Sequence, residues 1–76
     1  MTAQKKLTAD EITTMHYSNK EAGDTQKELA QRYGVSSATV SRYVSQIERE
    51  IEAMMKTGRD RYDARMEAYE SFKRTY

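Results

Sequence analysis

Apolar residues in this chain recur at three- and four-residue spacing and never alternate with period two, so helices are predicted throughout. Thr8 and Glu11 fix the start of the first. They have the spacing of a capping box, in which hydroxyl and carboxylate each satisfy a backbone amide that the first turn leaves free. Leu7 and Ile12 stand at hydrophobic-staple positions around that cap, and Ile12, Met15 and His16 share one face of a helix over about residues 8–20. Glu21 to Asp24, with Gly23, read as a loop. Thr25 and Glu28 repeat the capping box for a second helix over 25–33, with Leu29, Ala30 and Tyr33 inward. Gly34 ends it, in the left-handed conformation that glycine adopts without steric cost.

Ser36 caps a third helix. Val40, Tyr43, Val44, Ile47, Ile51 and then Met54 or Met55 keep the helical spacing, with no breaker before Gly58. One helix from Ser37 to Thr57 would be about 31 Å long at about 1.5 Å per residue. Ser45 and Glu48 also have capping-box spacing, so the alternative is a short helix over 37–45 and a restart. Asp60 can cap a last helix, in which Tyr62, Tyr69 and Tyr76 lie seven apart with Met66 and Phe72 on the same side. The expected fold is all-α, with a three-helix unit in residues 1–46 and a helical extension in 47–76 that breaks at Gly58.

Length and composition narrow the chemistry. A chain of 76 residues buries only about 60% of its unfolded surface, so its core needs good helix packing or a second subunit. There is no cysteine, and His16 is the only histidine, so neither disulfides nor a metal site is expected. No cofactor is expected either. A nucleophile–base pair and a phosphate-binding loop are both missing from the sequence, and the chain does not read as an enzyme. No apolar run approaches membrane-spanning length, and Met-Thr-Ala-Gln-Lys-Lys has none of the apolar stretch of a secretory signal. A cytoplasmic location without a membrane partner is the expectation. Net charge is only +1; up to Ser45 there are six basic and five acidic residues, and from Gln46 on seven of each. Charge alone points to no partner.

Spacing does. The segment Gln26 to Ser45, QKELAQRYGVSSATVSRYVS, puts a small residue, Ala30, inside one helix and Gly34 four residues later at the turn. Leu29, Tyr33, Val35, Val40 and Tyr43 flank the turn as bridging apolar residues, as two helices crossing steeply over a short connection require. The stretch GVSSATVSR resembles the helix-turn-helix core of bacterial repressors of the lactose-repressor and related families. With the preceding helix it is also similar to the C-terminal DNA-binding domain of resolvases and DNA invertases. The likeness covers about 20 residues strongly.

That resemblance implies that the second helix of the pair enters the major groove of double-stranded DNA and reads base edges with its N-terminal residues. On this sequence those are Ser37, Ala38, Ser41 and Arg42, with Arg42 suited to bidentate bonds to guanine. Thr25, Gln26 and Ser36 would hold phosphate oxygens, with Lys27 and Arg32 adding charge along the backbone. Lys5 and Lys6 would form a short arm towards the neighbouring minor groove. For the C-terminal stripe two outcomes stand open: folding back at Gly58 within one chain, or pairing subunits through Ile47, Ile51, Met54, Met55, Tyr62, Met66, Tyr69 and Phe72. Pairing is favoured, because two linked copies bind a divided site far more tightly than one. The resulting expectation is a homodimeric transcriptional regulator, acting as a repressor on an inverted repeat with no small-molecule effector. A phage or plasmid DNA-architecture factor and a protein-interaction module are the alternatives.

Overall fold

The computed structural model describes residues 6–76, and among them every regular element is an α-helix. α1 spans Ala9–Lys20, α2 Gln26–Tyr33, α3 Ser37–Met55 and α4 Arg61–Thr75. None is long and apolar enough to cross a membrane.

The helix starts are where the side-chain oxygens predict them. Thr8 and Thr25 each accept from the amide three residues on, at 3.1 Å, while Glu11 and Glu28 accept from the cap amides at 2.9 and 3.0 Å. Ser36 and Asp60 cap α3 and α4 in the simpler way, accepting from the amides of Thr39 and Asp63. Gly34 closes α2 at φ 69° and ψ 34°, and the Val35 amide donates back to the Ala30 carbonyl at 3.0 Å. The chain can therefore leave α2 and enter α3 within three residues.

α3 is continuous. Ser45 caps nothing, and the alternative of a helix ending at residue 45 gives way to nineteen residues, about 28 Å at about 1.5 Å per residue. Val44, Ile47 and Ile51 are buried in sequence along one face, so packing is uninterrupted through the point of a possible restart. The Glu48 carboxylate is engaged by other helices, as described below.

One core joins all four helices. Leu7, Ile12, Met15, Leu29, Val40, Val44, Ile47, Ile51 and Phe72 are almost wholly withdrawn from solvent, and Tyr33, Tyr43, Met54 and Tyr69 pack at its edges. The chain turns at Gly58, where φ is 102°, and α4 runs back against α3 and α1. Ala64 and Ala68 are fully buried on its inner face, and side chains this small allow close approach to α3.

This return corrects two expectations. Ile47, Ile51 and Phe72, expected to pair subunits, are 0, 0 and 3% exposed within a single chain, enclosed in its own core. The division between residues 46 and 47 also falls inside α3, and residues from both sides share the one core, so the extension is no separate layer. Met54 and Tyr69 are half-buried at the same α3–α4 packing. Only Met55, Tyr62 and Met66 of that stripe remain exposed. The C-terminus is fastened as well: the Tyr76 hydroxyl donates to the Leu7 carbonyl at 3.0 Å, and the Tyr76 ring stacks on Phe72.

Candidate nucleic-acid interface

The inward residues of α3, from Val40 to Ile51, decide which residues face out. Counting on from Ala38 in helical steps, Arg42, Ser45, Arg49 and Lys56 follow on the side opposite that buried stripe. Ser37, Ala38 and Arg42 are exposed and Ser41 is half-buried, so the four predicted base-reading residues are gathered at the first turns of α3. Three of them are small, which leaves room for a partner to approach the helix closely with Arg42 as its one long donor.

The predicted backbone-contacting residues divide. Lys27 is exposed at the first turn of α2 and Gln26 is half-buried beside it. The Thr25 hydroxyl is committed to Glu28, accepting from its amide and donating to its carboxylate at 3.1 Å. Ser36 is similarly committed to the amide and hydroxyl of Thr39. Arg32 pairs with Asp24 at 3.3 Å across exposed surface, a weak tie that solvent screens. Lys6 is exposed, and Lys5 lies outside the described residues.

Charge pairing is segregated, which net charge conceals. On α4, Arg61 bonds both Glu21 and Glu48 at 2.9 Å, Arg65 reaches Glu21 at 3.4 Å, and Lys73 reaches Asp10 at 3.2 Å. Arg59, just before α4, pairs with Glu67. Lys27, Arg42, Arg49 and Lys56, from α2, α3 and the end of α3, take part in no ion pair among the described residues. Most of the ion-paired carboxylates thus sit beside α4, while these cations and the exposed Glu52 on α3 take part in none of the described ion pairs. Arg49 and Ser45 lie outside the sequence-predicted site because the helix-turn-helix resemblance names base readers only in the first turns of the helix. Carrying the helical count past Ser45 would have found them.

His16 sits behind this surface. It is 0% exposed, and it joins three helices: Nε2 lies 2.8 Å from Glu48 Oε1 on α3 and Nδ1 lies 2.6 Å from the Tyr69 hydroxyl on α4. An ionised carboxylate can only accept, so Nε2–H donates to Glu48 and Nδ1 accepts from Tyr69, which suits a neutral ring. Burial lowers the His16 pKa from its ordinary value, against the raising effect of Glu48. Hydrogen bonds from Arg61, outweighing burial, hold Glu48 down at about 2. Tyrosine, histidine and carboxylate in series is also the connectivity of an activated nucleophile. Here burial pushes the Tyr69 phenol well above its ordinary value, and the series ties α1, α3 and α4 together. Among the described residues no cluster of three metal-ligating side chains forms.

Comparison with protein-family models, with curated proteins and with solved structures gives no match to this chain.

Proposed function

We propose that the protein binds duplex DNA through α2 and α3 as a helix-turn-helix, with the first turns of α3 in the major groove. The observation that carries this is the line of unpaired cations and small residues on the outer side of α3, next to a glycine turn that matches the motif's spacing. Arg42 reads a guanine, Ala38 meets a thymine methyl, and Ser37 and Ser41 bond bases or phosphates. Lys27 and Gln26 take the flanking backbone, with Lys6 near it; Thr25 and Ser36 keep their capping roles and contribute there only by exchanging a bond already made. The protein is then a transcriptional regulator, a repressor by the simplest use of such a device, working in the cytoplasm as a homodimer on an inverted repeat. With Ile47, Ile51 and Phe72 consumed inside the chain, Met55, Tyr62 and Met66 are the side chains of the expected pairing stripe left to a second copy.

Selection from a random duplex pool, with Arg42→Ala in parallel, tests this. An enriched inverted repeat is expected, with discrimination weakened by roughly 1–3 kcal/mol at one position per half-site in the variant. Absence of any binding at low salt would overturn the proposal. Enriched direct repeats would keep DNA binding and point to an architectural role instead.

A further inference from the structure

A recess of about 330 Å³ opens beside the middle of α3, where the end of α1 and the start of α2 meet it. Lys20 from the last turn of α1, Gln26 from α2, and Ser45 and Arg49 from α3 stand round it. Neither Lys20 nor Arg49 has an ion-pair partner among the described residues. Glu48 also lines the recess, but His16 and Arg61 between them bond both its oxygens. Glu52 is the one carboxylate there that the described ion pairs leave uncompensated. Two cations with an amide and a hydroxyl around one concavity make a seat for an oxyanion.

The position of the recess says which anion. Arg49 lies seven residues beyond Arg42 on the same outward line, about 10 Å along the helix at about 1.5 Å per residue. A major groove is about 12 Å wide, so a helix with Arg42 over its bases brings Arg49 to the strand that borders it. We propose that the recess holds one phosphodiester of the DNA backbone, with Arg49 and Lys20 supplying charge and Gln26 and Ser45 supplying neutral donors. This rests on the DNA-binding reading above and extends the contact surface to α1 and to the second half of α3, beyond the residues that read bases. Glu52 opposes the anion and limits how tightly it is held.

The test measures binding of the full chain to a random-sequence duplex, and to the selected duplex, across a salt series. Lys20→Gln and Arg49→Gln should each reduce the steepness of the fall of log K with log salt, by about 0.9 in all for each seated phosphate when the two are combined, equally on both duplexes. Glu52→Gln should tighten binding on both, a change of sign that simple loss of folding cannot produce. Arg74→Gln, an exposed cation on α4, should leave the salt slope unchanged, and circular dichroism melts should show all four variants folded. An unchanged slope in Lys20→Gln and Arg49→Gln, while the unaltered protein binds both duplexes, overturns the phosphate seat and leaves the DNA reading intact. A loss confined to the selected duplex overturns it too, making Arg49 a reader of bases. If the unaltered protein binds neither duplex at low salt, both proposals fall together.

Discussion

His16 shows how one residue couples distant parts of a short chain. Its partners stand 32 and 53 positions away, yet both ring nitrogens are satisfied and the ring is fully enclosed. His16→Ala leaves a cavity and a phenol without its acceptor, while Glu48 keeps only Arg61, and should cost roughly 3 kcal/mol in urea unfolding. Acid should weaken the fold in two windows. The His16 pKa is lowered, so the unfolded chain takes up its proton first. Its stabilisation is complete above 6.5 and falls away as pH drops from 6.5 towards the folded value. Glu48 is depressed to about 2, so its contribution is present above 4.5 and is lost as pH falls from 4.5 towards 2. Unfolding midpoints of the natural chain and of His16→Ala between pH 8 and pH 3 check this: the upper window should vanish in the variant. None of these partners was legible in the sequence, because sequence spacing reports neighbours along a helix and is silent on which helices meet.

Among elements, boundaries were the most legible feature and the destination of α4 the least. Thr8, Thr25, Ser36 and Asp60 announce helix starts because a capping oxygen acts on amides two or three residues away, a wholly local interaction. Gly34 is legible for the same reason: φ of 69° is strained for any residue with a Cβ, although open space surrounds the position. Gly34→Ala should therefore destabilise by about 1 kcal/mol through backbone strain alone, with Gly34→Asn costing less, as thermal melts can measure. The seven-residue spacing of Tyr62, Tyr69 and Tyr76 carries no such local answer. It suits contact with any helix, from this chain or another. The buried pair Ala64 and Ala68 distinguishes the cases, since a packing seam of such small side chains draws α4 tightly onto α3. Of the candidate site, the exposed first turns of α3 were legible, with Ser37, Ala38, Ser41 and Arg42 gathered there, and Arg49 was not. Arg49 lies beyond the first turns, to which the resemblance confines its readers.

For the whole molecule, extents of 46 × 26 × 15 Å describe a slab in which few residues are far from solvent. Such a body cannot lose an element and keep a core. A chain ending at Gly58 would expose Ile47 and Ile51, which α4 helps to cover, and should show no cooperative thermal transition by circular dichroism. A sharp melt from that fragment would contradict a single shared core. The same wholeness bears on charge. Because Asp10, Glu21 and Glu48 are tied to Arg61, Arg65 and Lys73 of α4, Arg42, Arg49 and Lys56 are left without ion pairs on another side, and weakly charged composition coexists with an uneven surface.

The bond from the Tyr76 hydroxyl to the Leu7 carbonyl brings the two ends of the described residues together. Connectivity and fold are then separable: a short linker of a few flexible residues from position 76 to position 6 would close the loop. New ends could be opened at Gly23, an exposed turn with φ of 86° and open space around it. Such a permuted chain begins with α2 and α3 and finishes with α1. It should melt within a few degrees of the natural order, which would show that the order in which the helices are joined is incidental to the surface they build.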